Sequence, residues 1–222
     1  VIDVRDGFAA YMRRGNRQSR VREVLRQRRL LEREHGQLDF VFDARNPGAL
    51  ELLMTWKSAQ YERSGIFDRF SRRWVRDLVW DLAACERPGC RGVLSTLSAG
   101  GQLVAVHFGV RSGARLSLWF AAYDRDLRRC APGLQLYFLM TEAAPQHGIG
   151  LLDLGAGDEA YKSALASWEY PAARGRVQVD ALAGLIRRAR SGSERRIDRL
   201  VVRHPRLQSH LPRWLSRVDR VH

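Results

Sequence analysis

Hydrophobic positions recur with a helical period in the first part of the chain. Apolar residues three and four positions apart predict helices over 19–35, 47–63 and 70–85, because that spacing places them on one face. The expected buried faces are Val21, Val24, Leu25 and Leu31 in the first helix, Leu50, Leu53, Met54 and Tyr61 in the second, and Phe70, Trp74, Leu78 and Leu82 in the third. Asn46 and Pro47 predict the start of the second helix, as an N-cap and a first-turn proline.

The middle of the chain changes to strand-like segments. Residues 92–98, 102–110 and 115–123 are rich in β-branched and aromatic residues, and the turns between them are short. Such short connections predict an antiparallel meander. Further strands are expected at 38–42 and 176–180.

A helix and a short strand follow the meander, at 132–146 and 150–155. The expected inner face of this helix consists of Leu134, Tyr137, Phe138 and Thr141. The segment from 115–123 through the helix to the last strand has the length of a β-α-β unit, which makes its two strands parallel. We therefore predict an α/β (α+β) fold, in which a mixed sheet combines the antiparallel meander with a β-α-β unit and has flanking helices.

Three regions of the chain differ in composition. Residues 1–36 are expected to form a helical segment that links to a preceding N-terminal half, because the sequence does not begin with Met. Residues 37–180 contain the predicted α/β domain. Residues 181–222 are a basic, Arg-rich tail with scattered apolar residues, for which two short amphipathic helices are expected.

The chain is strongly basic, with 38 Lys and Arg against 24 Asp and Glu and a formal net charge of +14. Such a charge favours acidic partners: nucleic acid, an anionic membrane surface or a phosphorylated substrate. Solvated helix faces in an Arg-biased sequence are the alternative explanation. Weak contact with RNA or an anionic membrane is expected through the tail at 181–222.

The cysteines point to neither a disulfide framework nor a metal site. Cys85, Cys90 and Cys130 are odd in number and lack metal-ligand spacing. No apolar run approaches the ~20 residues that a membrane span requires, and no leader is recognisable. We expect a cytoplasmic protein, and the basic charge extends that expectation to the inner face of the membrane.

Lysine is rare in this chain. Of the 38 Lys and Arg residues, only Lys57 and Lys162 are lysines. Lys is compact, and its surroundings can lower its pKa, so a Lys in an Arg-rich chain indicates a position where Arg cannot serve. Lys162 lies in the stretch LGAGDEAYKSAL, just after the predicted strand. Lys57 shares a helical turn with Gln60. An ordinary polar helix surface is the alternative for both lysines.

A phosphate site is predicted at the start of the helix that follows the meander. Arg128 and Arg129 precede Pro132 in the stretch RRCAPG, and Ala131 and Gly133 are small enough for the backbone to approach a pyrophosphate. A helix N-terminus adds unpaired N–H groups and a partial positive charge. A plain helix start with two solvated arginines is the alternative.

The order of these elements resembles the core of the GNAT superfamily of N-acetyltransferases. Arg128, Ala131 and Gly133 match its acyl-CoA loop, Gln/Arg-x-x-Gly-x-Gly/Ala, with Ala at the first glycine position. The stretches HGIGLLDLGAGDEAYK and MTWKSAQYERSGIFDRF resemble motifs of the CelD/BioF2-like branch, the cellulose-biosynthesis-type acetyltransferases. The resemblance covers roughly residues 10–175, and a similarity to FemAB peptidoglycan aminoacyltransferases is more distant.

The resemblance implies an enzyme that transfers an acyl group from acetyl-CoA, or another acyl-CoA, to an amine without a metal. The residues implied to bind the donor are Arg128, Arg129, Ala131, Gly133 and Leu134. The residues implied to be catalytic are Lys162, Asp158 and Asp153, the lysine beside the acyl carbonyl or a substrate phosphate and the acids as proton acceptors. The residues implied to bind the acceptor are Lys57, Gln60 and Tyr161.

The acceptor implied by the resemblance is a small amine, phosphorylated or nucleotide-linked, such as an amino-sugar precursor of the cell envelope or of an exopolysaccharide. Three alternatives stay open: a FemAB-like transferase that uses aminoacyl-tRNA, a nucleic-acid or membrane-binding module without catalysis, and a supporting half-domain.

Structural roles are also open for single residues. Asp153 is suited to pairing with an Arg and Asp158 to capping a helix. His107 is expected to be hydrogen-bonded or solvent-facing rather than a catalytic base.

Overall fold

The computed structural model describes residues 1–14, 18–87, 89–157 and 159–173. Residues 1–64 and 68–170 form one compact unit, to which every element described below belongs. The expected strand at 176–180 and the basic tail at 181–222 lie outside the described residues.

Six α-helices and six β-strands make up this unit within the described residues. The helices are α1 (Phe8–Arg13), α2 (Gln18–His35), α3 (Pro47–Ser64), α4 (Arg73–Ala84), α5 (Pro132–Ala143) and α6 (Ala160–Leu165). The strands are β1 (Ile2–Asp3), β2 (Leu38–Val41), β3 (Arg91–Ala99), β4 (Gln102–Ser112), β5 (Arg115–Tyr123) and β6 (Leu151–Asp153). Short 3-10 helices lie at Arg69–Ser71, Arg125–Cys130 and Ala144–His147. No helix in the described ranges is long and apolar enough to cross a membrane.

One mixed sheet contains all six strands in the order β1-β6-β5-β4-β3-β2. The predicted meander is confirmed, because β3, β4 and β5 pair antiparallel in sequence order. The β-α-β prediction is confirmed as well, since β5 and β6 are parallel and α5 connects them. Strand β1, which pairs antiparallel with β6, was not predicted, because two residues carry no periodic signal.

The sequence AGG between β3 and β4 forms a two-residue hairpin turn. Ala99 pairs with Gln102, and both Gly100 and Gly101 have positive φ, at 55° and 81°. This is the backbone conformation of a type I′ turn, which suits the twist of the two strands and which glycine adopts without strain. The Gly100 amide also donates to the Gln37 carbonyl, so the hairpin is held to the end of α2.

Helices cover the sheet on both faces. On one face, α2 and α5 enclose a core cluster whose fully buried members include Leu31, Leu97, Leu116, Leu136 and Met140. On the other face, α3 and α4 pack against β3, β4 and β5 and bury Leu50, Leu53, Val79, Phe108 and Phe120. The central strands are therefore apolar on both sides, which explains why β3 and β4 are almost continuously buried.

A β-bulge in β5 changes which side its residues face. Phe108 of β4 pairs with Phe120, but the next residue, Gly109, pairs with Leu118, so Trp119 is extra. Leu118 belongs to the core cluster under α5, whereas Phe120 contacts Phe70 with a ring-centroid distance of 4.8 Å. The bulge thus switches the alternation of β5 from one face of the sheet to the other.

The predicted buried face of the third helix is wrong in part. Phe70 is buried, but it lies in the 3-10 helix, and an extended Arg72 separates it from α4. This break shifts the helical phase, so Trp74 is 67% exposed and Leu78 is also exposed. Val79 is buried in their place.

Two other helix faces also differ from expectation. Leu25 of α2 is 40% exposed, while Val24 and Leu31 are buried as predicted. In α5, Thr141 is buried as predicted, but the predicted Leu134, Tyr137 and Phe138 are only half-buried, and Leu136 and Met140 are buried instead. Because neighbours surround α5 on more than one side, several of its faces are partly covered and a single inner stripe does not describe it.

Candidate functional site

The parallel pairing between β5 and β6 stops well before the end of β5. The two strands pair only from Arg115–Leu151 to Ser117–Asp153, whereas β5 continues to Tyr123. From Leu118 onward, the described residues leave this side of β5 without a strand partner. We call this unpaired side of β5, beyond the end of β6, the opening between β5 and β6. The segment after β6 begins at the start of the opening, and the segment after β5 begins at its far end.

The segment after β5 makes an unusual turn into α5. Ala131 has φ 47° and ψ 50°, and it is the one non-glycine residue with positive φ in the described part of the chain. A left-handed conformation disfavours a side chain, which gives a physical reason for a glycine at this position in related loops. Pro132 has no N–H, so the Gly133 amide is the first N–H group of α5 and has no intrahelical carbonyl as a partner.

The two arginines of this loop have different partners. The Arg129 guanidinium forms an ion pair with Glu34 at 2.7 Å and remains 69% exposed. Arg128 is exposed and forms no ion pair with any described residue. Leu134 lies in the first turn of α5, where it packs against the core cluster. Of the predicted phosphate-binding residues, Arg128 is thus the cation that no acid neutralises.

The segment after β6 holds Lys162 in a tight polar site. Its Nζ donates to the Ala156 carbonyl at 2.7 Å and pairs with Glu159 Oε2 at 2.8 Å, and the side chain is only 11% exposed. Gly157 has φ 131°, and a Cβ there would lie 2.8 Å from Nζ and collide with the Glu159 carboxylate. A forked guanidinium needs more room than this site offers, which explains a lysine in an Arg-rich chain.

Lys57 on α3 interacts electrostatically with the same carboxylate. Its Nζ donates to Gln60 Oε1 at 3.0 Å and lies 5.1 Å from the centre of the Tyr61 ring. Burial and, to a smaller extent, the charge of Arg69 lower the pKa of Lys57 to about 8, although the charge of Glu159 opposes both effects. The pKa of Glu159 is lowered by its hydrogen bond with Lys162 and also by the charge of Lys57. Both lysines of the chain therefore interact with one acid.

Tyr161 extends this site toward α5. Its ring stacks on that of Tyr137, with the centroids 5.7 Å apart and the planes 8° from parallel. Burial raises the pKa of both phenols. We call Lys57, Glu159, Tyr161 and Lys162 the lysine cluster.

His107 lies behind Tyr137, with its ring 5.9 Å from the phenol ring. It is completely buried, and neither ring nitrogen has a hydrogen-bond partner in the described part of the structure. Burial lowers its pKa to about 3. The expectation of a hydrogen-bonded or solvent-facing histidine is therefore wrong, because β4 is a central strand with helices on both faces.

The predicted acids are not all part of the lysine cluster. The Asp153 carboxylate accepts hydrogen bonds from the Gly155 amide at 3.0 Å and the Tyr170 hydroxyl at 2.8 Å. These contacts stabilise the turn after β6. Asp158 lies outside the described residues, so its proposed roles stay predictions. No group of His, Cys, Asp or Glu within the described ranges could hold a metal ion.

Two residues of the site were not singled out from the sequence. Glu159 stands three positions before Lys162, and this spacing within the motif DEAYK indicates a pair on one side of a helical turn. Tyr137 has no comparable signal, because it meets Tyr161 only through the packing of α5 against the segment after β6.

Comparison with known proteins identifies related families and folds. A family model described as an acetyltransferase (GNAT) domain matches residues 18–163. No curated protein matches the sequence significantly. Three solved structures illustrate the range of similarity, each covering 64% of this chain.

These structures are a possible acetyltransferase from Clostridium difficile 630 (12% identity, 98% of its chain, TM-score 0.48), an aminoglycoside acetyltransferase from an uncultured soil metagenomic sample in complex with sisomicin (13%, 97%, 0.47) and a GNAT family acetyltransferase from Staphylococcus aureus (10%, 97%, 0.41).

Proposed function

This chain belongs to the GNAT acetyltransferase domain family, and from that membership we propose that it transfers an acyl group from acyl-CoA to an amine acceptor. The observation that carries the proposal is the opening between β5 and β6, with the left-handed Ala131 loop at its edge. In this proposal, the donor lies in the opening and the acceptor amine approaches from the lysine cluster.

The loop before α5 is suited to the pyrophosphate of the donor. The Gly133 amide and the helix dipole attract an anion, and the unpaired Arg128 guanidinium adds a charge-assisted contact. The small residues at Ala131 and Gly133 keep side chains away from the backbone at this point. No metal is needed for this binding, because the donor's charge meets N–H groups and an arginine.

The free side of β5 is suited to the acyl group. Attack of an amine on a thioester gives a tetrahedral oxyanion, which preorganised N–H donors stabilise. Among the described residues, no strand pairs with β5 on that side beyond Ser117, and the Trp119 bulge lies in the same stretch. We propose that one of the backbone amides in this stretch donates to the thioester carbonyl oxygen.

The lysine cluster supplies the proton chemistry. The acceptor must lose a proton to become a nucleophile, and a base with a pKa near the operating pH does this best. Lys57, with a pKa of about 8, is partly neutral near pH 7 and accepts that proton at Nζ. Glu159 orients the acceptor ammonium, and the Tyr161 phenol gives a proton to the departing CoA thiolate.

The acceptor in this proposal is an amine on a phosphorylated or nucleotide-linked sugar of envelope or exopolysaccharide synthesis. The net charge of +14 and the position of Arg69 beside Lys57 support an anionic substituent on it. The resemblance of two sequence motifs to the CelD/BioF2-like branch supports a sugar as the acceptor.

The test is release of CoA thiol from acetyl-CoA in the presence of glucosamine, a glucosamine phosphate or a nucleotide-linked amino sugar. We expect kcat/KM to rise with pH and to level off above about 8, as Lys57 loses its proton. Lys57→Met should lower the rate by about 10²-fold or more and remove this dependence. Arg63→Met, an exposed cation on the same helix, is the matched control.

A parallel assay with aminoacyl-tRNA as donor tests the alternative enzyme class. Transfer from tRNA without thiol release from acetyl-CoA would replace the acyl-CoA proposal with a FemAB-like one. Absence of both reactions, with a folded protein, would favour the binding module.

A further inference from the structure

A second concave site lies on the face of the sheet that α3 and α4 cover. It is a groove of about 690 Å³ beside β2, away from the opening between β5 and β6. The residues that matter to its chemistry are Asp39, Leu52, Trp56, Thr96, Ser98 and Gln102, all of which line it. We call it the β2 groove.

The groove exists because the helices leave this corner of the sheet open. Strand β2 alternates, with Leu38 and Phe40 packed against the core cluster while Asp39 and Val41 are exposed on the opposite face. Helix α3 packs against β4 and β5 and not closely against β2. The floor of the groove is therefore a patch of sheet, and one wall is α3.

The polar groups on this floor have no partners of their own. The side chains of Asp39, Thr96, Ser98 and Gln102 make no hydrogen bond or ion pair with any residue in the described ranges. Asp39 and Ser98 are directly opposite each other in the β2–β3 pairing. They present a carboxylate, two hydroxyls and an amide toward one space, which is a set of both donors and acceptors.

The unpaired state of Asp39 is unusual in its surroundings. Asp43, Glu51 and Glu86 all form ion pairs with arginines. Arg45, which also lines the groove, is the partner of Glu86 and so is largely neutralised. The groove thus has a net negative character within a strongly basic chain, which disfavours a phosphate and favours a neutral or amine-bearing ligand.

Trp56 adds a flat apolar surface to these polar groups. Its half-buried side chain lines the groove together with Leu52, one helical turn earlier. Sugars combine many hydroxyl groups with apolar C–H faces, so an aromatic ring beside unpaired hydroxyls and a carboxylate matches a saccharide.

The groove and the lysine cluster share helix α3. Trp56 lines the groove, while Lys57, the next residue, interacts electrostatically with Glu159 of the lysine cluster. Consecutive helical residues project about 100° apart, so α3 forms a wall common to both sites. We infer that the β2 groove binds saccharide units of a multi-unit, amine-bearing acceptor whose reactive amine reaches the lysine cluster.

This inference rests on the proposed function for the role of the acceptor but not for the binding itself. The binding test therefore uses no acyl-CoA. Cellotriose and the trisaccharide of β-1,4-linked glucosamine are titrated into the protein, with binding followed by tryptophan fluorescence and saturation-transfer NMR. We expect both to bind, and the glucosamine trisaccharide to bind more tightly because its ammonium groups meet Asp39.

Two tryptophan variants distinguish sugar binding in the β2 groove from nonspecific sugar binding elsewhere. Trp56→Ala should weaken both sugars by about tenfold, which corresponds to the loss of one well-placed aromatic contact. Trp74→Ala removes a more exposed tryptophan on α4 and should change nothing. Asp39→Asn should remove the preference for the glucosamine trisaccharide and leave cellotriose binding unchanged.

Kinetics then tests the link with acyl transfer. Trp56→Ala should raise KM for the glucosamine trisaccharide, whereas Trp74→Ala should leave both kcat and KM unchanged. Lack of sugar binding by wild type, or equal weakening by both tryptophan variants, would overturn the inference. Sugar binding without release of CoA thiol would support the β2 groove as a saccharide site and contradict the proposed function.

Discussion

The ammonium group of Lys162 is held between a carbonyl and a carboxylate at 2.7 and 2.8 Å, in a site closed by Gly157. At the scale of one residue, this explains why the chain uses one of its two lysines here. The contact with Ala156 also ties down the turn after β6, so Lys162 has a structural role beside any catalytic one.

Lys162→Arg should therefore impair the enzyme even though the substitution keeps the positive charge. We expect Lys162→Ala and Lys162→Arg each to lower kcat by about tenfold or more, as loss of a preorganised cation does. Both should also lower the free energy of unfolding by about 1 kcal/mol, because Glu159 and the Ala156 carbonyl lose a partner. Steady-state kinetics and denaturant unfolding measure the two effects. A fully active Lys162→Arg enzyme of unchanged stability would show that Arg fits this site.

His107 makes folding sensitive to acid. Its pKa of about 3 in the folded state lies below the unfolded value near 6.5, so between these values the unfolded chain binds a proton that the folded chain does not. The stabilisation from a neutral His107 is complete above about pH 6.5 and is lost as pH falls, by up to about 1.4 kcal/mol for each pH unit.

His107→Leu should remove this dependence. Near pH 8 the variant should equal or exceed wild type in stability, because it deletes two ring nitrogens that lack partners. At pH 5 its advantage should be larger. Urea unfolding at both pH values measures the difference, and an advantage that does not grow in acid would contradict the burial of a neutral histidine.

At the scale of elements, the loop between β5 and α5 differs from a plain helix start. The loop combines a left-handed backbone at Ala131 with an Arg128 side chain that forms no ion pair with a described residue. Arg129, in contrast, forms an ion pair with Glu34. The sequence motif treats the two arginines alike, and the structure separates them because α2 brings Glu34 next to only one.

Arg128→Ala should weaken acetyl-CoA binding by about tenfold, the equivalent of one charge-assisted hydrogen bond to a phosphate. Arg129→Ala should have a smaller effect, since Glu34 already holds that side chain. Arg125→Ala, in the same 3-10 helix, serves as a control for the general loss of one positive charge. Calorimetric titration measures all three, and equal affinities for wild type and Arg128→Ala would exclude this phosphate contact.

At the scale of the whole molecule, the positive charge lies in two parts of the chain, the GNAT domain and the tail at 181–222. Part belongs to the GNAT domain, where many arginines pair with acids, as in α2 and α4. Another part belongs to the tail, which includes Arg187, Arg188, Arg190, Arg195 and Arg196. The tail lies outside the described residues, so its role stays a sequence-based proposal.

Truncation after Asp180 should leave acyl transfer intact and abolish most binding to anionic surfaces. Vesicles of acidic lipid and a generic RNA are the probes, and binding of the full chain should fall steeply between low and physiological salt. Sedimentation with vesicles and filter binding with RNA measure the change. Equal binding by the truncated chain would assign the interaction to the domain instead.

The sequence by itself determined the type and order of most elements. The helices at α2 and α3, the meander and the parallel β-α-β unit were predicted correctly, because local periodicity and short turns specify them directly. Asn46 was also correctly assigned as a cap, and its side chain accepts from the Ala49 amide. The rarity of lysine in the chain also indicates Lys57 and Lys162 from the sequence alone.

Only the tertiary structure decided which residues meet. The convergence of Lys57 and Lys162 on Glu159 joins segments about a hundred residues apart, and no local pattern encodes such a contact. The exposure of Trp74, the switch of faces at Trp119 and the complete burial of His107 have the same origin. Periodicity reports that a face is apolar, but the phase of a helix, a bulge in a strand and the cover on a sheet depend on what packs against them.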